Sequence, residues 1–395
     1  MQIFRSARKN PSSFPIDFMS VRFRTLLSAL VASFVAVGCS RDQSTLKIGE
    51  FASLTGKEAA FGQSSHKGTV LAIEDTNAAG GVLGKKITLI SEDNQSRPGE
   101  SATIAKKLIT REKVIAILGE VASSRSMEAA SVAQQFKIPM VSPASTNPKV
   151  TEIGDYIFRV CFIDPFQGTA LAKFARQDLK AKRVAVLTSV SSAYSVGLGK
   201  YFKERFLADG GEIVLEPSYS EGDKDFKAQL TAIKATAPDA IFVPGYYTEA
   251  ALICKQARDL GMTLPLFGGD GWEAPELLSL GGKAVEGTFY STHYSSESPS
   301  EAVQTFVKKF KARWNGETPD AMAALGYDSA LVLVDAIKRA GATDAAKIRD
   351  ALATTKNLEG VTGKTTIDAK RNASKAAVVV EVRNGAFRFV KSVEP

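Results

Sequence analysis

The chain has 395 residues, 44% of them hydrophobic, and a formal net charge of +8. This length suits two domains rather than one core, and the composition excludes a disordered or polytopic membrane protein. Residues 1–38 hold five basic residues and one acidic residue, so +4 of the net charge lies in this segment. The rest of the chain has no run of five or six basic residues, and we therefore expect no nucleic-acid partner.

The N-terminus carries a basic head followed by an apolar run. Fourteen apolar or small residues are too few to span the ~30 Å of a bilayer core, so residues 1–38 are predicted to be an export signal that starts at Met19. A buried N-terminal helix is the alternative. The run ends in Ala36-Val37-Gly38-Cys39, which resembles the lipobox cut by lipoprotein signal peptidase. We expect lipidation of Cys39, with residues 39–44 as a linker, against the alternative of an unmodified cysteine.

The remaining cysteines and the two histidines give little sign of a metal site. Cys161 and Cys254 either pair or stay buried and reduced, and the second state is favoured. His66 and His293 lie far apart and have no cysteine nearby, which argues against zinc. We therefore predict no metal and no cofactor.

Strands and helices alternate along the first part of the chain. Predicted strands cover residues 46–51, 87–91, 114–118 and 139–142. Predicted helices pass through Val70, Ile73 and Asn77, and cover residues 100–111 and 123–135. This alternation predicts right-handed βαβ units and a parallel, doubly wound sheet.

A second series of the same kind follows. Predicted strands cover residues 184–188, 213–216, 240–243 and 265–267, and predicted helices cover residues 196–208, 226–235 and 249–260. Twenty residues separate Gly119 from Pro139, and twenty also separate Gly245 from Pro265. The repeat predicts two lobes of one fold, although common α/β elements can coincide by chance.

The rest of the chain adds late helices and a terminal β pattern. The helices are predicted over residues 301–314, 322–338 and 344–353, and the β pattern over residues 376–381 and 386–390. These elements must pack onto lobes that are already built. We therefore expect the chain to cross between the lobes several times.

Ligands of open parallel sheets bind beyond the carboxyl ends of the strands. In the first half, the loops over residues 119–126 and 142–146 offer hydroxyls and backbone N–H groups at a helix start, which suit a carboxylate. In the second half, the loops over residues 245–248 and 268–272 offer an acid beside aromatic rings, which suits an ammonium. The two walls together predict a zwitterionic ligand.

Each of these side chains also has an ordinary structural explanation. Ser123 would serve as a helix N-cap, Thr146 and Asp270 as turn formers, and Tyr246 and Trp272 as packing groups. Their joint position at matching strand ends is what favours a binding site.

Several motifs together carry a resemblance to a known family. They are Ile48-Gly49-Glu50, the loop ending at Gly62, Asn77 to Gly81, Pro143 to Thr146, Asp164 with Gln167-Gly168, and Gly326-Tyr327-Asp328. With them the chain resembles the leucine/isoleucine/valine-binding proteins, which are type I periplasmic binding proteins of ABC transporters. The resemblance implies two α/β lobes with doubly wound parallel sheets, joined by a multi-crossing hinge. Lobe 1 would comprise residues 45–163 and 293–374, and lobe 2 residues 164–292 and 375–395.

The resemblance also implies a set of ligand-binding positions in the cleft. The ligand carboxylate would be held at Ser123, Ala144 and Thr146, and the ammonium at Asp270 and Tyr246. Three further positions would complete the cleft, namely Phe61, Tyr194 and Asp164.

The chain departs from the family pattern in the pocket for the ligand side chain. Asp270 stands where the family has Glu, Phe61 where it has Tyr, and Trp272 where it has a small aliphatic residue. The first lobe also lacks the cysteines that form a disulfide in those relatives. Trp272 lies two residues after Asp270, so in an extended loop both side chains would point to the same side, and we expect the indole to line the pocket.

These features predict an exported binding protein of an ABC importer that closes on an apolar, branched-chain amino acid as a monomer, with the membrane permease as its partner. An enzyme is disfavoured because Ser64 and Lys67 form a Ser-x-x-Lys pair with no second motif, and Gly363-Lys364-Thr365 lacks the earlier glycine of a phosphate loop. A sensor component of the same fold, or a binder of an amide or small carboxylate, is the alternative.

Overall fold

The computed structural model describes residues 45–395. The predicted export signal, linker and lipidation site at Cys39 therefore lie outside the described residues. Within this span, no helix is both long enough and apolar enough to cross a bilayer.

The first sheet has five strands in the order β2-β1-β3-β4-β5, all parallel. The strands are β1 (Leu46–Ala52), β2 (Ile87–Asp93), β3 (Ile117–Leu118), β4 (Met140–Ser142) and β5 (Ile157–Arg159). The helices that connect them are α1 (Ala59–Ala78), α2 (Glu100–Lys107), α3 (Ser123–Phe136) and α4 (Lys149–Glu152). The helix predicted over residues 100–111 continues past Lys107 as a π-helical turn, Leu108–Glu112, and the predicted strand 114–118 pairs only at its end.

The chain enters the second sheet after α5 (Asp164–Gln177). The sequence pattern did not predict this helix, because Pro165 and Gly168 interrupt it. The strands in chain order are β6 (Arg183–Val186), β7 (Thr188–Ser189), β8 (Glu212–Leu215), β9 (Ser218–Tyr219), β10 (Ala240–Val243), β11 (Leu266–Gly268) and β12 (Phe289–Thr292). The helices between them are α6 (Ala193–Ala208), α7 (Lys227–Ala235), α8 (Tyr247–Asp259) and α9 (Pro275–Gly281).

The last part of the chain serves both sheets. Its elements are α10 (Glu301–Arg313), α11 (Ala321–Ala340), α12 (Ala345–Ala353), β13 (Ala377–Arg383) and β14 (Ala386–Val393). The last two strands are antiparallel and extend the second sheet to the order β14-β13-β12-β11-β10-β6-β8, while β7 and β9 pair separately.

Helix α11 packs along α1 of the first lobe with the two backbones in direct contact. A Cβ atom on Gly68 would lie 1.9 Å from the Ala323 carbonyl oxygen, and one on Gly326 would lie 2.2 Å from the Ser65 carbonyl oxygen. Only glycine fits at both positions, so the late helices are built into the first lobe.

The chain thus passes between the sheets three times, after β5, after β12 and before β13. The two sheets with helices on them agree with the predicted α/β class and the predicted repeat. The lobe limits at residues 163, 292 and 374 remain a proposal, which this strand order supports.

Candidate functional site

The four loops selected from the sequence all follow carboxyl ends of parallel strands. Ser123 opens α3 after β3, and Thr146 follows β4 in the first lobe. Tyr246 directly precedes α8 after β10, and Asp270 follows β11 in the second lobe. All four residues are buried. Parallel strands bring their carboxyl ends to one edge of the sheet, which is why these loops gather there.

In the first lobe, the loops offer hydroxyls beside the start of α3. The N-cap of α3 is Ala122, and Ser123 does not cap the helix, so the N-cap interpretation of Ser123 is wrong. Its hydroxyl instead accepts a hydrogen bond from the backbone N–H of Asn147 at 3.3 Å. The Thr146 hydroxyl is buried and has no hydrogen-bond partner among the described residues. Ala144, in the loop after β4, is also buried. Free helix N–H groups and a free hydroxyl suit a carboxylate.

In the second lobe, the Asp270 carboxylate collects three donors. The Tyr194 hydroxyl donates to Oδ1 at 2.9 Å, and Gln167 Nε2 donates to the same oxygen at 2.7 Å. His293 Nε2 lies 2.9 Å from Oδ2. Tyr194 in turn accepts the Gly271 N–H at 3.1 Å, which links the ring to the backbone beside the acid. The arrangement holds a buried negative charge in one orientation.

Aromatic rings form the wall beside this acid and join the lobes. Tyr194 and Tyr246 stack with centroids 5.2 Å apart and an interplanar angle of 3°. Phe61, from α1 of the first lobe, meets Tyr246 edge-on at 5.5 Å and Tyr247 edge-on at 4.9 Å. The ring of Phe61 therefore packs across the cleft onto the second lobe.

Asp164 adds a second buried acid at the start of α5. Its backbone N–H donates to the Thr146 carbonyl oxygen at 2.9 Å, while both carboxyl oxygens are without a hydrogen-bond partner in the described part of the chain. Burial raises the pKa of Asp164 to about 8, the Asp270 charge adds to this, and the Arg159 charge lowers it only in part. At neutral pH this carboxyl therefore keeps its proton and can donate a hydrogen bond as well as accept one.

The loop that carries Trp272 is not extended. Asp270–Trp272 form a 3-10 turn, so the expectation that Asp270 and Trp272 share one side of an extended loop is wrong. The indole is fully buried in the core of the second lobe, and its Nε1 donates to the Val243 carbonyl oxygen at 2.9 Å. A Cβ atom on Gly268 would lie 2.1 Å from that nitrogen, so the ring fills the space over the end of β11.

Polar contacts across the cleft show that the lobes are closed on each other. Lys57 Nζ lies 2.6 Å from Glu221 Oε2, and the Tyr247 hydroxyl donates to the Lys57 carbonyl oxygen at 2.9 Å. Asn147 Nδ2 donates to the Ala193 carbonyl oxygen at 2.6 Å. These contacts lie at different points of the cleft, so closure buries the residues between them.

Sequence reasoning did not assign Gln167 and His293 to the site. Gln167 lies three residues after Asp164 on α5, a spacing that puts both side chains on one helix face, but α5 itself was missed. His293 was considered only as a zinc ligand. Across residues 45–395, no group of three His, Cys, Asp or Glu side chains could hold a metal ion.

Neither the two remaining cysteines nor the Ser-x-x-Lys pair forms a reactive group in the candidate site. Cys161 and Cys254 are buried free thiols, as favoured from the sequence, and burial raises the pKa of each to about 12. Ser64 donates to Asp320, whereas Lys67 pairs with Glu317 at 2.7 Å. The serine and lysine therefore serve different partners.

The chain is similar to several known proteins. A sequence model of a family described as periplasmic binding protein matches residues 45–386. An amino acid binding protein of Pseudomonas aeruginosa is 31% identical over 361 residues, which cover 91% of this chain and 95% of the relative. The solved leucine binding protein LivK of Thermotoga maritima is 43% identical, with a TM-score of 0.86 over 89% of this chain and 99% of that one. LivJ of Streptococcus pneumoniae, solved with isoleucine, is 36% identical, with a TM-score of 0.85 over 89% and 100% of the two chains.

Proposed function

Because the chain belongs to the periplasmic binding protein family, and is thus a binding protein and not an enzyme, we propose that it captures a free amino acid with an apolar, branched side chain. The amino acid would be held between the two lobes and delivered to the permease of an ABC importer. The relatives support this choice, since LivJ was solved with isoleucine and the Thermotoga maritima protein is named for leucine.

The observation that carries the proposal is the opposed chemistry of the two walls. Ser123, Ala144 and Thr146, at the start of α3 and after β4, supply hydroxyl and backbone donors for the ligand carboxylate. Asp270 supplies negative charge for the ammonium. An α-amino acid carries an ammonium group and a carboxylate group on the same carbon atom, so it matches both walls.

The aromatic residues are assigned to the region around the ligand. Tyr194 and Tyr246 stack beside Asp270 and Phe61 meets Tyr246 edge-on, so the three rings would enclose the ammonium and the first carbons of the side chain. Trp272 receives a different role from the one expected from sequence. With its indole bonded to Val243, it would support the turn that carries Asp270 rather than select the ligand.

The mechanism that follows is hinge closure. The carboxylate contacts come from the first lobe and the ammonium contacts from the second, so the ligand makes its full set of contacts only when the lobes are shut. Ligand binding would therefore shift the equilibrium towards the closed form, which the permease recognises.

The proposal extends to where the protein resides. Members of this family are named for the periplasm, and the predicted lipobox would attach this chain through Cys39 to a bacterial membrane. The protein would act there as a monomer.

The decisive experiment is a binding screen with the ligand-free protein. Thermal shift followed by calorimetry would compare L-leucine, L-isoleucine and L-valine with polar amino acids, amino acid amides and 4-methylpentanoate, which is leucine without its amino group. We expect the branched-chain amino acids to bind most tightly. Tighter binding of 4-methylpentanoate or of an amide would contradict the zwitterion site and favour the carboxylate or amide alternative. Unchanged leucine uptake by cells lacking the protein would contradict the importer role.

A further inference from the structure

The geometry around Asp270 involves more of the molecule than the ligand loops. Its three donors come from three separate elements, namely Gln167 on α5, Tyr194 on α6 and His293 directly after β12. Gln167 and His293 lie next to the first and second crossings between the lobes. The acid is therefore tied to the hinge as well as to its own turn.

Gln167 is fixed from both sides. Its Nε2 donates to Asp270 Oδ1 at 2.7 Å and to the Ser291 hydroxyl on β12 at 3.0 Å. Because an ionised carboxylate only accepts hydrogen bonds, this contact determines which end of the amide faces Asp270. The amide oxygen, Oε1, is buried and has no partner within residues 45–395. This amide oxygen can therefore still accept a hydrogen bond next to Asp270.

His293 is held by stacking as well as by its hydrogen bond. Its ring lies on Phe162, with centroids 3.7 Å apart and an interplanar angle of 23°. Phe162 belongs to the first crossing and His293 to the second. The Nε2 atom that faces Asp270 Oδ2 at 2.9 Å must carry the hydrogen, since its partner is an acceptor.

We infer that Gln167 and His293 are positioning residues for ammonium recognition: together they hold the Asp270 carboxylate so that one acceptor direction stays open to the ligand. A carboxylate has about four acceptor directions, and Tyr194, Gln167 and His293 take three of them. The inference rests on the proposed function, because it requires a ligand with an ammonium group. It assigns to this pair the discrimination between an amino acid and the same acid without its amino group.

The test uses the ratio of dissociation constants for 4-methylpentanoate and L-leucine, measured by calorimetry. His293→Phe keeps a ring over Phe162 and removes the donor, and Gln167→Met removes the amide and keeps much of the volume. A buried carboxylate that loses a donor can turn or take up a proton, so we expect the ratio to fall about tenfold in each variant. His293→Gln places an amide nitrogen near the position of Nε2 and should restore most of the ratio.

The outcomes separate this inference from the proposed function. Equal weakening for both ligands, with the ratio unchanged, would overturn the positioning role and leave amino acid binding intact. Failure of the wild-type protein to bind any amino acid would overturn both. Circular dichroism checks folding, and if His293→Phe does not fold, Gln167→Met carries the same expectation, and an unchanged ratio there refutes the inference.

Discussion

Closure of the lobes places Glu221 of the second lobe against two cations of the first. Its Oε2 lies 2.6 Å from Lys57 Nζ and 3.7 Å from Arg125 Nη2. Glu221→Gln removes the charge and keeps the size of the side chain. Because these contacts join the two lobes, we expect the substitution to act mainly on the equilibrium between open and closed forms.

The size of the effect follows from the exposure of the pair. The Glu221 side chain is 10% exposed and that of Lys57 is 30% exposed, so solvent screens the attraction in part. Exposed ion pairs contribute about 0.2–1 kcal/mol, and we take the upper end, about 1 kcal/mol, because Glu221 is nearly buried. If the open form dominates without ligand, the whole loss appears in the affinity for leucine, which should fall about fivefold.

Calorimetry at two salt concentrations measures this effect, and small-angle X-ray scattering reports the open and closed populations. The matched control is Glu74→Gln, which breaks an ion pair of similar length, 2.9 Å to Arg313, on helices that both belong to the first lobe. The control should leave the affinity unchanged. Equal losses in the two variants, or an unchanged affinity in Glu221→Gln, would refute the reasoning.

Three further results are expected. The pKa of Asp164 is about 8 in the folded protein against an ordinary value of 3.8, so between these pH values the folded state keeps a proton that the unfolded chain loses. The free energy of unfolding should therefore fall as pH rises from 4 to 8, and urea titrations of Asp164→Asn should show a shallower fall. An identical slope in the variant would contradict the raised pKa. Trp272→Phe loses the bond to Val243 and should cost about 2–3 kcal/mol of stability without altering the order of ligand affinities; a changed order would mean that the indole lines the pocket. Metabolic labelling with a fatty-acid probe should mark the wild-type protein and miss Cys39→Ala, and equal labelling would argue against lipidation.

The central strands could be predicted from sequence because their burial is continuous. Residues 240–243 were predicted as a strand and form β10 with the same limits, since a run of four buried apolar residues is followed by Pro244. In contrast, α5 was missed because Pro165 and Gly168 resemble a turn. Gly168 is needed for packing, as a Cβ atom there would lie 2.7 Å from the Phe202 backbone nitrogen on α6.

The candidate site was predictable at the ends of those strands that the sequence pattern identified, and not at the strand and helix that it missed. The strand-end rule led to Thr146 and Asp270, because parallel topology brings such loops together. His293 obeys the same rule, because it follows β12, which pairs in parallel with β11, and it was missed because the sequence pattern did not predict β12. The expectation of an extended loop at Trp272 failed for a local reason, because the three residues after Gly269 coil into a turn.

The contact between α1 and α11 constrains the order in which the chain can fold. The Thr69 hydroxyl donates to the Gly326 carbonyl oxygen at 3.4 Å, across 257 residues of sequence. During synthesis, α1 emerges long before α11, so the face of α1 that carries Gly68 stays uncovered until α11 is made. The second lobe's parallel strands are all made earlier than α11, so that lobe can assemble its centre first. The first lobe, although it begins the described chain, cannot complete its core until α11 has been made, whereas the second sheet gains only its last two strands, β13 and β14, after that.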